Sequence, residues 1–187
     1  MIVGITGRKR AGKDTAAQYL VDKYGFIRMG YADVLKEAVA NLLDIHPDDV
    51  DMFKDNPQIR CGIFNPTRTD NQHSHRYTMR QFLQRFGREM GRNTFGQSFW
   101  VDQLQDRLES NKNYVIPDVR FDNETIPCDC IIEIVRPGMG FDPHASEQGL
   151  RDELIDFIVL NNGTIEDLHS RVEQCLAETL SSASLSN

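Results

Sequence analysis

The run Gly7-Arg8-Lys9-Arg10-Ala11-Gly12-Lys13-Asp14-Thr15 holds the residues whose types and spacing point most directly to chemistry. It fits the pattern G-x-x-x-x-G-K. There, glycines let consecutive backbone N–H groups converge on phosphate oxygens, and the lysine reaches the outer phosphates as a point charge. The usual motif places Ser or Thr after the lysine, but here Asp14 stands in that place. Its carboxylate can bind magnesium directly or through water, since magnesium prefers oxygen ligands. Alternatively the Thr15 hydroxyl serves the metal, and the sequence leaves both open. The competing reading, a surface turn rich in Gly and Lys, is opposed by the flanks: an apolar strand enters the run and an amphipathic helix leaves it.

A second acid, Asp118, follows another short apolar run. Ligands of open parallel sheets bind beyond the carboxyl ends of strands, so Asp118 is either a magnesium ligand or a strand-end turn residue. It opens a dense polar cluster, Asp118-Val119-Arg120-Phe121-Asp122-Asn123-Glu124. Arg120 either stabilises phosphoryl charge during transfer or pairs on the surface with Asp122 or Glu124. Helical spacing sets Phe82, Leu83, Phe86 and Met90 on one face and Arg85, Arg88 and Arg92 roughly opposite, with Arg80 between. That basic face is either solvated or a clamp for the phosphate of an acceptor, to which guanidinium forks are suited. Asp33 and Lys36 lie at the same expected sheet edge and could orient an acceptor, or Asp33 could cap its helix. Asn161-Asn162-Gly163 could offer backbone and amide groups to an adenine edge or form a turn into Thr164. His144-Ala145-Ser146-Glu147 lies in a loop that is either a lid over phosphates or a connector.

The elements that must hold these residues follow from periodicity. Apolar runs predict parallel strands at Met1–Thr6, Phe26–Met29, Tyr114–Ile116, Cys130–Val135 and Asp156–Leu160. Helices are predicted from Asp14 to Tyr24, ended by Gly25; after Asp33 with a stripe of Leu35, Ala38, Val39, Leu42 and Leu43; from Thr78 to about Arg92; from Ser98 to about Leu108, with Trp100, Val101, Leu104 and Leu108 inward; and from Thr164, with Asp167 as capping-box partner. Strands alternating with helices imply an α/β fold with a five-stranded parallel sheet and helices on both faces. One domain is expected over residues 1–180, with an acceptor-binding insertion at about 44–110, a lid-like loop at about 137–150 and a flexible tail at 181–187. Asn56 to Tyr77 shows no period and reads as a long loop. There is no internal repeat.

The chain has 187 residues and a formal net charge of −7. So acidic a chain is a poor generic nucleic-acid binder, and an anionic ligand must be held by a local basic cluster. No apolar run approaches a membrane span and no secretory pattern precedes the first strand, which gives an expectation of a cytoplasmic protein without membrane or direct nucleic-acid partners. Cys61, Cys128, Cys130 and Cys175 lack metal-pair spacing and read as reduced thiols.

Taken together, Gly12-Lys13-Asp14-Thr15, Tyr31-Ala32-Asp33-Val34-Leu35-Lys36, Leu83-Gln84-Arg85-Phe86-Gly87 with Arg92 and Trp100, Asp118 to Glu124, His144 to Glu147 and Asn161-Asn162-Gly163-Thr164 resemble, in that order, the bacteriophage deoxynucleoside monophosphate kinases. The likeness spans most of the chain. It implies a P-loop nucleoside monophosphate kinase-like fold, ATP and magnesium as donor system, and deoxynucleoside 5′-monophosphates as acceptors for viral DNA synthesis. Gly7, Arg10, Ala11, Gly12, Lys13, Asp14, Thr15, Asn162 and Gly163 would then bind ATP. Asp14 and Asp118 would serve the metal. Lys36, Arg80, Arg85, Arg88, Arg92, Trp100 and Glu124 would bind the acceptor, and Lys13, Arg120, Asp33 and Arg151 would be catalytic. Members are often dimeric, so a homodimer is among the expected assemblies. Two other readings stand beside this one: a P-loop kinase with another acceptor, such as dephospho-coenzyme A or a small alcohol, with Asp33 as base; and an ATP-binding module that transfers no phosphoryl group to metabolites.

Overall fold

The computed structural model describes residues 1–54, 56, 60–61, 77–138 and 149–185. Its strands are β1 (Ile2–Thr6), β2 (Ile27–Arg28), β3 (Arg60–Cys61), β4 (Tyr77–Thr78), β5 (Tyr114–Ile116), β6 (Cys130–Val135) and β7 (Phe157–Leu160). Its α-helices are α1 (Lys13–Tyr24), α2 (Tyr31–Leu43), α3 (Pro47–Lys54), α4 (Met79–Arg85), α5 (Phe99–Gln105) and α6 (Ile165–Leu185). The chain divides into two compact units, Met1–Tyr31 with Val101–Asn187, and Ala32–Trp100.

The first unit is built on a parallel sheet in the order β2-β5-β1-β6-β7, the five strands read from the sequence. An apolar run with no alternation is what a strand covered on both faces requires. Val3 and Ile5 pack into a core with Ala16, Ala17 and Leu20 of α1 and Leu168, Val172 and Leu176 of α6. On the opposite face a Cβ added at Gly4 would lie 2.8 Å from Cys128 Sγ and 3.2 Å from Val119 Cγ2. The fold class is the one expected: α/β, with a five-stranded parallel sheet covered on both sides. Gly25 ends α1 with φ +70°, and the N–H groups of Gly25 and Phe26 donate to Val21 O and Leu20 O, a Schellman closure. Thr164 and Asp167 form the expected reciprocal cap on α6. That helix runs on to Leu185 through most of the segment expected to fray, and Ser181 and Ser182 donate back to Ala177 O and Glu178 O.

In the second unit Val39, Ala40, Val50, Met79, Phe82 and Leu83 form the core. Val50 belongs to α3, a helix too short for its periodicity to stand out in the sequence. Thr78 and Gln81 cap α4 reciprocally, at 3.2 and 3.0 Å. Beyond Arg85 the predicted α-helix gives way to π-helical turns over Phe86–Phe95. Two carbonyls in that stretch accept side-chain donors: Gly87 O from Trp100 Nε1 at 2.7 Å, and Glu89 O from Thr94 Oγ1 at 2.8 Å. Donors inserted into a helix ladder favour the wider turn. Met90, expected on the apolar face, is 48% exposed. Arg85 closes the α turns while Arg88 and Arg92 lie in the π-helical stretch, so the 3.6-residue spacing that groups them does not carry through. Asp33 is not the N-cap residue of its helix: α2 starts at Tyr31, so Asp33 lies within the first turn.

Candidate active site

The C-terminal edge of the sheet gathers the candidate residues of the first unit. Gly7 follows β1, Pro117–Arg120 follow β5, Arg136 follows β6 and Asn161–Gly163 follow β7. The loop from Gly7 to Gly12 closes directly onto α1, whose N-cap Gly12 has φ +111° and no side-chain cap. Gly7 has φ +127°, and a Cβ there would strike the Ile134 carbonyl. Lys13 Nζ donates to Gly7 O at 2.7 Å and to Arg8 O at 2.8 Å, which holds the ammonium at the mouth of the loop.

A cavity of about 450 Å³ opens here, lined by Arg10, Gly12, Lys13, Asp14, Thr15, Arg136, Asn161, Gly163, Thr164, Ile165 and Leu168. The structure thus brings the loop and Gly163 together as expected. Asn162 is not among the lining residues, and its Oδ1 accepts from Arg171 at 2.8 Å. Asn161 and Arg136 take part instead. Arg136 was legible as the basic residue ending a strand, whereas the contact of Asn161 Nδ2 with Ala11 O (2.7 Å) spans 150 residues and left no local signal.

Asp14 pairs with Arg28 at the end of β2, Oδ1 to Nη2 3.1 Å, with Asp14 largely exposed. Asp118 Oδ1 accepts the Tyr31 N–H at 2.9 Å. Glu124 is 2% exposed and accepts the backbone N–H groups of Arg120 (2.7 Å) and Phe121 (3.2 Å). Its carboxylate therefore faces backbone and positions Arg120, where the sequence reading had placed it against the acceptor. Asp122 pairs with Arg151, at 2.6 Å from Nε, and Glu153 takes Arg151 Nη1 at 2.8 Å. The hydrogen bond and charge of Asp122, with Glu153 behind it, push the Arg151 guanidinium further up.

In the second unit Lys36 lies 3.4 Å from Asp33 and 2.8 Å from Asp51. Burial by itself would lower the Lys36 ammonium, but the Asp51 hydrogen bond and both carboxylate charges outweigh it and raise it. Arg85 is already engaged by Glu89 (3.0 Å) and stacks over the Tyr77 ring. Arg80 and Arg88 are exposed and Arg92 is half-buried. A second hollow of about 450 Å³ is lined by Tyr77, Phe82, Arg85, Phe86, Glu89, Met90 and Thr94. Trp100 is in neither cavity. It is 5% exposed, fills the space beside Gly91 and donates its indole N–H to Gly87 O, so its place is the core. The expected lid residues His144–Glu147 and most of Asn56–Tyr77 lie outside the described residues.

The donor set of the first cavity suits a magnesium–nucleoside triphosphate. Arg10, Lys13 and Arg136 oppose phosphate charge, Asp14 and Thr15 offer the oxygen ligands that magnesium takes, and the volume falls within the ordinary range for ligand pockets. Among the described residues no group of three or more His, Cys, Asp or Glu could hold a metal ion.

The family pattern described as deoxynucleotide monophosphate kinase matches residues 50–172. A protein of Acanthamoeba polyphaga mimivirus, provisionally named a deoxynucleotide monophosphate kinase, is 33% identical over 94% of this chain and 96% of its own length. The deoxynucleotide monophosphate kinase of Enterobacteria phage T4 is 22% identical over 94% of this chain and 98% of its own. Among solved structures, a dephospho-CoA kinase from Campylobacter jejuni aligns over 95% of this chain and 96% of its own, with 14% identity and a TM-score of 0.49. The chain belongs to the deoxynucleotide monophosphate kinase family.

Proposed function

We propose that this chain transfers the γ-phosphoryl group of ATP to deoxynucleoside 5′-monophosphates, giving diphosphates for viral DNA synthesis. The observation that carries the reading is the phosphate loop that runs from β1 into the uncapped N-terminus of α1, in a chain that belongs to this family. Gly7 to Thr15 would cradle the ATP phosphates, with the base end toward Gly163. Bound magnesium would neutralise charge on the outer phosphates, and Asp14, Thr15 and Asp118 are the residues to hold it.

An oxygen of the acceptor phosphate would attack the γ-phosphorus as the bond to the β-bridging oxygen breaks, releasing ADP. That oxygen is already anionic near neutral pH, so no strong general base is needed, and catalysis is positioning plus charge neutralisation. Lys13 would follow the transferring group, and Arg120 would face it from the turn that Glu124 fixes. Arg151 would act beside it, already tempered by Asp122 and Glu153. Arg80, Arg85, Arg88 and Arg92 would bind the acceptor phosphate, with Lys36 and Asp33 orienting the acceptor. Trp100 would act only through the packing of the arginine-bearing segment.

The test is ADP release from ATP and magnesium with each common deoxy- and ribonucleoside monophosphate added singly. Release driven by one or more deoxynucleotides is expected, and silence across the panel would refute the assignment. Lys13→Ala should abolish turnover with the fold intact.

A further inference from the structure

We infer that Asn161 is a positioning residue for the donor phosphates, acting through the phosphate loop instead of reading the donor base. The inference rests on the donor-site reading above.

A loop that binds phosphate must turn its N–H groups toward the ligand and its carbonyl oxygens away, because each carbonyl facing a triphosphate adds repulsion. Here four of the six carbonyls from Gly7 to Gly12 accept a hydrogen bond. Gly7 O and Arg8 O take Lys13 Nζ, Arg8 O also takes the Ala11 N–H at 3.1 Å, and Gly12 O takes the Ala16 N–H at 3.0 Å as the first bond of α1. Ala11 O is held from outside the loop, by Asn161 Nδ2 at 2.7 Å. A carbonyl can only accept, so the amide nitrogen, not the amide oxygen, must face it.

The approach is close. A Cβ at Gly12 would lie 2.5 Å from Asn161 Nδ2, so Gly12 is needed both for its positive φ and for room beside this amide. Asn161 is itself fixed by its backbone, whose N–H donates to Val135 O at 2.7 Å at the end of β6. The amide thus ties the phosphate loop to the turn after β7, the two walls of one cavity. One of the two Nδ2 hydrogens is spent on Ala11 O, which turns the amide toward the loop.

The experiment measures binding of ATP and of inorganic tripolyphosphate, each with magnesium, to the full-length chain and to Asn161→Ala and the near-isosteric Asn161→Asp. Melting temperatures show that the variants fold. Asn161→Ala should weaken both ligands about tenfold, the worth of one buried hydrogen bond. Asn161→Asp, which cannot donate, should lose at least as much. In turnover, KM for ATP should rise and KM for the acceptor should stay unchanged, a split that general destabilisation does not produce. Loss of ATP affinity with tripolyphosphate unaffected would overturn the inference, since the residue would then be reading the base. Unchanged binding of both ligands would overturn it as well. Failure of the unaltered chain to bind ATP would instead refute the donor-site reading.

Discussion

The Glu124 carboxylate accepts the backbone N–H of Arg120 at 2.7 Å, and at 2% exposure it is almost closed to solvent. The bond fixes where the Arg120 side chain begins, and the same oxygen, Oε2, also accepts the Phe121 N–H at 3.2 Å. Glu124→Gln keeps the volume but replaces one acceptor oxygen with a donor group. The expected result is a loss of about 1–3 kcal/mol in unfolding free energy and a fall in kcat larger than any rise in KM for ATP. Denaturant unfolding and steady-state kinetics measure both, and a variant matching the parent in both would contradict the role.

Asp14, in the first turn of α1, and Arg28 form an exposed pair 3.1 Å apart. Removing Arg28 leaves a carboxylate facing the triphosphate without its partner. Arg28→Ala should raise KM for ATP by about two- to fivefold, the range for an exposed ion pair. Because the pair is open to solvent, the difference should shrink in high salt. A salt-independent change would mean that Arg28 acts by another route.

The arginines of the second unit should not be equal. Arg85 is engaged by Glu89 and Tyr77, whereas Arg88 is exposed with no side-chain partner among the described residues. Arg88→Ala should therefore raise KM for the acceptor by about tenfold or more, as loss of a charge-assisted contact does. Arg85→Ala should raise it less. The reverse ranking would move the acceptor phosphate toward Tyr77.

Gly91 lies against the indole of Trp100, and a Cβ there would sit 2.6 Å from Cε2. Gly91→Ala overpacks a filled core and should cost about 1–3 kcal/mol, seen as a lower denaturation midpoint by circular dichroism. Wild-type stability in this variant would mean that the segment has room to shift.

Glu173 of α6 accepts from Tyr24 (2.5 Å), Lys23 (2.9 Å) and Tyr19 (3.1 Å) of α1. The Tyr24 hydrogen bond first, then those of Lys23 and Tyr19, lower its carboxyl to about 2 from an ordinary 4.5. A carboxyl depressed in the folded chain contributes stability above its unfolded value of 4.5, and that contribution fades as pH falls toward 2. Glu173→Gln should thus melt slightly lower than the parent at neutral pH, with the gap narrowing through that acid window. A gap constant with pH would point to packing alone.

Much of this was written in local sequence. β1, β5 and β6 are apolar because both faces are buried, and the glycines of the loop carry the backbone signs that the turn needs. The spacing that groups Arg85, Arg88 and Arg92 assumes a 3.6-residue period, and nothing in Phe86–Phe95 by itself announces that Trp100 donates into its ladder. Asp118 with Tyr31, Lys36 with Asp51, and Asn161 with Ala11 are pairs made by the fold, invisible to spacing. Arg28 and Arg136 were the avoidable omissions, since each ends a strand at the edge where ligands bind.

Trp100 is the one tryptophan in the chain, and it is sealed against the π-helical turn with its N–H on Gly87. The protein therefore carries a single native optical probe, packed on the arginine-bearing segment. Its emission will report the loosening of the packing around Gly87 and Gly91, with no label attached.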